Sequence, residues 1–303
     1  MQSFAPAVKL LGPLRPEDIA WAPDALARKD ASELSVRWLG TAGFAIEHAA
    51  HVLLIDPYLT RASLARCIVG PLRSDLSLIR RVVPRADGIV VGHTHFDHAL
   101  DVPDIALATG ARVFGSRSAA ALCRARGVPE ERVEVVERVA GSAPVETDVG
   151  PFRLRFMASA HAPLLLGRVP FPGEIADCGD VPMRAPGYRC GAVFGVEIRV
   201  AGRTLFHLGS AELIEGSIAA KNVDLLLLTV AGWTTSDRLP ERVGHHLAPG
   251  AVLLAHWDDF LRPIDQPVRA LPAMQLGRLV ERLGRAVGGV SVGTLPLLGE
   301  VWL

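Results

Sequence analysis

The chain has 303 residues, half of them hydrophobic, and its 32 basic residues balance its 32 acidic residues. A chain of this size can bury a large core, either as one large layered domain or as two smaller domains. Balanced charge provides neither a basic field for nucleic acid nor an acidic tail, so we expect no nucleic-acid partner. The longest apolar run, around residues 225–228, is too short for a membrane span.

Residues 1–33 are rich in proline and alanine, which predicts an irregular N-terminal arm with one or two helical turns. The arm lacks the basic segment and the continuous apolar stretch of a secretory signal, so we expect a cytoplasmic protein. The four cysteines form no CxxC pair. We expect reduced thiols, with a bridge between Cys178 and Cys190 left open.

From residue 34 onward, short apolar runs and small-residue turns predict strands first and alternating helices and strands afterwards. The predicted strands of the first half are residues 36–39, 43–47, 52–56, 88–91, 112–115 and 132–136. The predicted helices are residues 64–82, 102–109 and 118–126.

The second half repeats this order weakly. Its predicted strands are residues 152–158, 192–200, 204–208, 223–230 and 252–255, followed by a helix over 273–287 and two short strands near the end. Each half contains two apolar strands joined by a small-residue turn. A duplicated β-sandwich flanked by helices would give this pattern.

Residues 162–190 interrupt the regular pattern with a proline-rich, apolar segment. A loop of that length in a compact domain is usually functional or disordered. We expect this insertion to cover or line a cleft, with an apolar inner face formed by Leu164, Leu165, Leu166, Phe171, Met183 and Tyr188. The alternative is that these residues only pack on the sandwich.

The stretch GHTHFDH, residues 92–98, places three imidazoles and a carboxylate directly after a predicted buried strand. Neutral imidazole nitrogen and carboxylate oxygen are ligands that zinc accepts. His93 and His95 can point to one side while Asp97 and His98 reach a neighbouring position. The sequence therefore predicts a metal site that can serve two adjacent ions.

Two further histidines follow predicted strands, His161 and His256, and are the best additional ligand candidates. His207 lies inside a predicted strand and is interpreted as a core residue or as support for a ligand. His48 and His51 flank a turn, where solvated surface is expected. His245 and His246 end a predicted helix, where a structural role is expected although one could reach the site.

These motifs together resemble the metallo-β-lactamase-fold hydrolase superfamily. The resemblance rests on GTAGF (40–44), Asp56, HTHFDH (93–98), SAH (159–161), FHLGSAEL (206–213) and AHWDDF (255–260), in the family's order. It implies an α+β fold, a four-layered αββα sandwich of two similar halves over residues 34–303. GTAGF and the AHWDDF ending look most like the ascorbate-phosphate lactonase and N-acyl-phosphatidylethanolamine phospholipase D branches.

The resemblance implies that His93, His95 and His161 bind a first metal ion, and that Asp97, His98 and His256 bind a second. Asp56 would orient a ligand imidazole. One departure is clear, because most of the family has a bridging aspartate where this chain has Ser210. A serine hydroxyl brings no negative charge, so second-site affinity should fall, unless Glu212 substitutes.

The implied chemistry is hydrolysis of a small ester, lactone or phosphodiester with an apolar part. Two zinc ions are expected and one is possible, with manganese or iron left open, and they would activate water. Asp97 is the candidate catalytic residue, either orienting the nucleophile or acting as general base. Trp233, Trp257 and Tyr188 are candidates for the substrate pocket.

Three other functions stay open at this point. The chain could be a catalytically attenuated binding protein of the same fold, for which Ser210 would be the first sign. It could be a nuclease, which the balanced charge disfavours. It could be a β-lactamase, which the expected cytoplasmic location disfavours. The sequence does not predict an oligomeric state.

Overall fold

A computed structural model describes residues 15–21, 33–137, 143–164, 167–179 and 181–303. Two seven-stranded sheets pack against each other, and helices cover their outer faces. The first sheet consists of β1 (Ser35–Gly40), β2 (Gly43–His48), β3 (His51–Ile55), β4 (Gly88–Val90), β5 (Arg112–Gly115), β6 (Val133–Val135) and β14 (Glu300–Trp302).

The second sheet is built in the same way from the second half of the chain. It consists of β7 (Val145–Val149), β8 (Phe152–Ser159), β9 (Val193–Val200), β10 (Arg203–Leu208), β11 (Leu225–Thr229), β12 (Ala251–Ala255) and β13 (Ser291–Gly293). The helices are α1 (Leu64–Val69), α2 (Leu76–Val82), α3 (Phe96–Ala99), α4 (Val102–Thr109), α5 (Arg117–Ala125), α6 (Leu239–Leu247) and α7 (Leu276–Ala286).

Both sheets combine an antiparallel part with a parallel part. Strands β1 to β3 are antiparallel and β3 to β6 are parallel, while β7 to β10 are antiparallel and β10 to β13 are parallel. The hairpins β2–β3 and β9–β10 both turn through two left-handed residues, Ala49–Ala50 and Ala201–Gly202. The expected sandwich of two similar halves is therefore confirmed.

The largest core lies between the two sheets and extends under the helices α6 and α7. Side chains from both sheets meet there, and Phe156 packs against Phe114 and Phe194 with ring centroids 6.4 and 6.0 Å apart. A second core joins the first sheet to α2, α4 and α5. The layer order is therefore helices, sheet, sheet, helices.

The predicted elements differ from the observed ones at a few places. The segment 64–82 forms two helices, because Gly70 and Pro71 interrupt it. Strand β7 was not predicted, because its sequence VETDV alternates polar residues at the edge of a sheet. In the arm, Pro16–Ile19 form a short 3-10 helix, and the rest of the arm lies outside the described residues except 15, 20, 21 and 33.

The cysteines are unpaired, so the bridge between Cys178 and Cys190 that the sequence left open does not form. Burial alone explains these two thiols, which are 8% and 5% exposed. In the described ranges, the helices are too short or too polar to cross a membrane.

Candidate metal centre

The predicted ligands follow strands whose carboxyl ends meet at one edge of the sandwich. Asp56 follows β3, His93 follows β4, His161 follows β8 and His256 follows β12. Strands β3 and β4 are parallel, and β8, β10 and β12 run in one direction within the second sheet. Six predicted ligands thus come together although up to 163 positions separate them in sequence (256 − 93).

The first cluster consists of His93, His95 and His161, whose facing nitrogens lie within 4.8 Å of one another. His93 Nε2 is 3.1 Å from His95 Nδ1. The His161 ring centroid lies 4.9 Å from that of His93 and 4.7 Å from that of His95. Three imidazoles converging on one point can hold a metal ion and leave a coordination position open.

The second cluster consists of Asp97, His98 and His256, which also place one donor atom each within 4.8 Å of the others. Asp97 Oδ2 lies 3.2 Å from His256 Nε2. The rings of His93 and His98 are 3.8 Å apart between centroids, so the two clusters adjoin. The helix α3 causes this division, because His95 precedes its first turn whereas Asp97 and His98 lie within it.

Three ligand rings donate their second nitrogen to a fixed acceptor. His98 Nδ1 donates to Asp56 Oδ2 at 2.9 Å, His95 Nε2 donates to the Pro170 carbonyl at 2.8 Å, and His161 Nδ1 donates to the Ala162 carbonyl at 2.7 Å. Each bond fixes a tautomer and leaves the other nitrogen's lone pair free for a metal ion.

Asp56 organises this region from a fully buried position. Its Oδ1 accepts the Gly92 N–H at 2.6 Å, while its Oδ2 accepts from His98. A Cβ at Gly92 would lie 2.8 Å from Asp56 Oδ2, so glycine is needed at the start of the motif. Asp56 thus lies directly behind the imidazole of His98, one of the predicted ligands.

The protonation states suit metal binding at neutral pH. Burial lowers the pKa of His93 well below its ordinary value and lowers the pKa of His161 to about 4, with neighbouring imidazoles adding to both effects. Burial opposes ionisation of Asp97, but His256 and His98 outweigh it and hold its pKa below the usual range. Burial also opposes the charged form of His98, yet Asp56 raises its pKa overall.

Ser210 lies just after β10, beside both clusters, and lines the cavity that opens above them. Its Oγ accepts the Ala162 N–H at 3.0 Å, next to His161. Glu212, the possible substitute for the missing aspartate, instead accepts from Arg242 Nη1 at 2.6 Å and from Leu213 N at 2.9 Å. Glu212 is therefore held by Arg242 and Leu213 and is not part of either cluster.

A cavity of about 250 Å³ opens above the two clusters. Its walls beyond the ligands are mostly apolar and include Leu164, Pro170, Phe171, Phe260, Leu271 and Met274. Lysine and arginine side chains are missing from its lining within the described ranges. The arrangement can hold two ions at the base of a small apolar pocket.

The three aromatic residues predicted for the pocket lie elsewhere. Trp233 is buried in the core, with Nε1 donating to the Met274 carbonyl, and Trp257 stacks on Trp38 at 5.0 Å. Tyr188 lines a separate cavity near α4 and α5. Large aromatic side chains find more apolar contact in a core than at a pocket wall, which explains these corrections.

The insertion contributes only part of its predicted inner face. Leu164 and Phe171 line the cavity, whereas Met183 and Tyr188 pack in the core beneath the first sheet. Leu165 and Leu166 lie outside the described residues. Arg189, which could have bound an anion, donates to the Pro172 carbonyl instead.

The remaining histidines lie outside the two ligand clusters. His207 is fully buried, with Nε2 3.9 Å from Asp56 Oδ2, so it packs behind the ligands as a core residue. His51 faces Asp87 at 3.3 Å, and His48 Nδ1 lies 3.3 Å from the Glu33 carbonyl. His246 faces Glu215 at 3.5 Å and packs edge-to-face against His245.

Sequence reasoning missed the cavity wall formed by Phe260, Leu271 and Met274. Residues 257–275 have no helical or strand period, so nothing indicated which side chains point inward. Only the position of Phe260 as the last residue of the AHWDDF motif could have suggested a role.

Curated relatives match parts of the chain. A UPF0173 metal-dependent hydrolase of Pyrobaculum arsenaticum is 35% identical over 97 residues, covering 32% of this chain and 39% of the relative. A UPF0173 metal-dependent hydrolase of Anaeromyxobacter sp. is 25% identical over 234 residues, covering 74% and 75%. The chain spans 39% to 49% of the length of the first four such relatives.

Solved structures share the fold at low identity. A metallo hydrolase from Ignicoccus hospitalis superposes with a TM-score of 0.52 at 16% identity, covering 89% of this chain and 98% of that chain. A diiron beta-hydroxylase from Streptomyces venezuelae gives 0.53 at 15%, covering 89% and 54%. An isothiocyanate hydrolase from Delia radicum gut bacteria gives 0.52 at 13%, covering 88% and 98%. Such identities show the fold alone.

The family model of the Beta-lactamase superfamily domain matches residues 51–259. That range contains both clusters, from Asp56 to His256, and more than half of the chain. The chain therefore belongs to the beta-lactamase superfamily, in the metallo-β-lactamase fold that its motifs had indicated.

Proposed function

We propose that this protein is a zinc-dependent hydrolase that uses two adjacent ions to cleave a small ester or lactone with an apolar part, or less favourably a phosphodiester. The observation that carries the proposal is the pair of adjoining three-donor clusters at the base of an apolar cavity. The UPF0173 relatives are named metal-dependent hydrolases, which supports metal-dependent hydrolysis.

The donor atoms fit a pair of zinc ions. Five imidazoles and one carboxylate supply three donors to each ion, and neutral imidazole with carboxylate is a borderline-soft ligand set. The depressed pKa values of His93 and His161 keep these donors unprotonated at neutral pH. The tautomers fixed by Asp56, Pro170 and Ala162 expose a lone pair in each case.

Bound zinc would supply Lewis acidity, lowering the pKa of a coordinated water toward about 7 and polarising the substrate oxygen. Asp97 would hold the second ion and orient the attacking water; with the second site empty, its ionised carboxylate would instead be the general base. Its position is fixed by the first turn of α3 and by the 3.2 Å contact with His256. Leu164, Phe171 and Phe260 would exclude bulk water from the reacting groups.

The substrate class follows from the walls of the cavity. A volume of about 250 Å³ suits a small molecule, and the apolar lining suits an acyl or alkyl part. The arginines of the insertion do not line the cavity, so an uncharged ester or lactone fits the walls better than an anionic sugar phosphate. We propose that the insertion at 162–190 covers this pocket, a role that the lining residues Leu164, Pro170 and Phe171 support.

A substrate panel on the zinc-loaded protein tests the proposal. The panel would contain p-nitrophenyl esters of increasing acyl length, aliphatic lactones, bis(p-nitrophenyl) phosphate, a chromogenic cephalosporin and single-stranded RNA. We expect hydrolysis of esters or lactones that disappears in His93→Ala and in Asp97→Asn.

The other members of the panel test the alternatives. Preferential turnover of RNA or of the cephalosporin would replace the proposal with a nuclease or a β-lactamase. Absence of any turnover by a fully metal-loaded protein would favour an attenuated binding protein. Loading with manganese or iron in parallel would identify the metal that supports the highest rate.

A further inference from the structure

His256 differs from His95, His98 and His161, each of which has its second ring nitrogen in a hydrogen bond. Its Nε2 faces Asp97, but among the described residues its buried Nδ1 has no hydrogen-bond partner. His95, His98 and His161 each donate their second nitrogen to a carbonyl or carboxylate. His93 Nδ1 is unpartnered in the same way. The His256 ring is therefore oriented by its contact with Asp97, by edge-on packing against Phe260 at 5.3 Å, and by the conformation of its backbone.

The backbone of His256 is held in a conformation that a side chain disfavours. Its φ is 58°, in the left-handed region, directly after β12. Its N–H donates to the Thr41 carbonyl at 2.8 Å, in the turn between β1 and β2. The GTAGF turn of the first half thus forms a backbone hydrogen bond with His256, where the loop of residues 256–262 in the second half begins.

A buried ion pair adds further contacts between this turn and the 256–262 loop. The Asp258 carboxylate accepts the Thr41 N–H, with its two oxygens 3.1 and 3.2 Å away, and pairs with the Arg61 guanidinium. Arg61 Nη1 also donates to the carbonyls of Asp259 and Arg262 at 3.4 and 3.5 Å. The side chains of Arg61 and Asp258 are 1% and 0% exposed, so solvent does not screen the pair.

The sequence is adapted to this contact. Gly40 has a φ of 95°, and a Cβ there would overlap the Arg61 guanidinium. Arg61 itself has a φ of 47°. Three left-handed residues, Thr41, Arg61 and His256, lie at this contact together with Gly40, an arrangement that a merely space-filling core would not require.

We propose that Arg61 and Asp258 are positioning residues that hold the 256–262 loop against Thr41 and thereby place His256 for the second metal ion. This inference rests on the proposed dinuclear function for its metal readout. The GTAGF turn would then connect the two halves of the sandwich at His256, the ligand that completes the second cluster.

The test compares Asp258→Asn with wild type in two measurements. The first is backbone hydrogen exchange in the metal-free protein, where we expect lost protection at Thr41 and over residues 256–262. The second is a competition titration with zinc, where we expect the second ion to bind about 10- to 100-fold more weakly and the first ion to bind as in wild type. Arg61→Lys keeps the charge but cannot make all three contacts, so it carries the same test should Asp258→Asn fail to fold.

Glu197→Gln is the matched control. Glu197 is 1% exposed and pairs with Arg155 and Arg199 on the second sheet, away from the 256–262 loop. We expect it to lower the melting temperature while leaving loop protection and both zinc affinities unchanged. If Asp258→Asn leaves both the hydrogen-exchange protection and the affinity for the second ion unchanged, the inference is overturned. It is also overturned if Asp258→Asn and Glu197→Gln weaken the binding of both ions equally. If wild type binds no second ion, the dinuclear function fails, and the exchange measurement alone decides the positioning role.

Discussion

Ser210 shows how a single residue can change the balance of a two-ion site. It lines the cavity beside both clusters, and its hydroxyl fixes the backbone next to His161 through the Ala162 N–H. Without a carboxylate here, Asp97 is the only charged ligand among the six proposed. The second ion should therefore bind more weakly than the first.

Ser210→Asp should strengthen binding of the second zinc ion by about tenfold or more, because a carboxylate offsets the repulsion between two dications. Isothermal or competition titration with zinc measures the two affinities separately. Ser210→Asn has nearly the same shape without the charge and is the matched control. Equal effects of Asp and Asn would show that charge at this position does not govern the second site.

The buried imidazoles also predict how the metal-free protein responds to pH. Burial lowers the pKa of His161 to about 4, whereas an unfolded histidine titrates near 6.5. Between these values the unfolded chain binds more protons, so the free energy of unfolding falls as pH falls from about 6.5 to 4. The loss attributable to His161 is about 3 kcal/mol when titration is complete.

Urea denaturation of the chelator-treated protein at pH 7, 6, 5 and 4.5 measures this loss. His161→Gln should flatten the profile because it removes the titrating group. His98 acts in the opposite sense, since its raised pKa stabilises the folded state at low pH and that contribution is lost as pH rises. A profile in His161→Gln as steep as in wild type would contradict the assignment.

At the scale of elements, strand ends and one insertion build the site. The sequence predicted most strands within one or two residues, and the HTHFDH motif predicted four ligands together, because strand periodicity and ligand chemistry are both local signals. The contact of Arg61 with Asp258 joins residues 197 positions apart and has no local signal. The same is true of the cavity wall at Phe260, Leu271 and Met274.

The insertion is attached directly to the ligand loop. Thr94 Oγ1 donates to the carbonyls of Arg189 and Cys190, 2.5 and 3.1 Å away, and Thr94 N–H donates to Cys190 as well. Together with the bond from His95 to Pro170, these contacts hold the C-terminal end and an internal residue of the insertion beside the first cluster.

Thr94→Val should loosen the end of the insertion, because it removes the hydroxyl donor to the Arg189 carbonyl and leaves only the Thr94 N–H as donor to the Cys190 carbonyl. We expect a loss of about 1–3 kcal/mol in unfolding free energy and faster hydrogen exchange over residues 187–191. Thr109→Val, which removes a hydroxyl bond to Ile105 within α4, is the control and should leave that exchange unchanged. Equal protection in both variants would show that Thr94 does not hold the insertion.

At the scale of the whole molecule, the two halves depend on one core and share one site. The first sheet provides Asp56 and the HTHFDH ligands, and the second provides His161 and His256. The duplication was predictable from the repeated hairpins, whereas the packing angle that brings the two strand edges together depends on core side chains whose partners are distant in sequence.

Phe156→Ala should test this dependence on the common core. Phe156 is 2% exposed between Phe114 of the first sheet and Phe194 of the second, so its truncation should cost about 3–5 kcal/mol in unfolding free energy. Denaturant titration measures the change. Leu107→Ala, at a side chain that is 44% exposed on α4, should cost far less. A comparable loss in both variants would argue against a shared core as the main stabilising feature.

The metal content per chain tests the central claim most directly. Plasma mass spectrometry on protein purified without chelator should find close to two zinc ions in wild type and close to one in His256→Ala, because that variant loses one donor of the second cluster. Manganese and iron would be measured in the same samples. Wild-type protein that holds no metal, and takes up none when zinc is supplied, would contradict the account of a metal-dependent hydrolase.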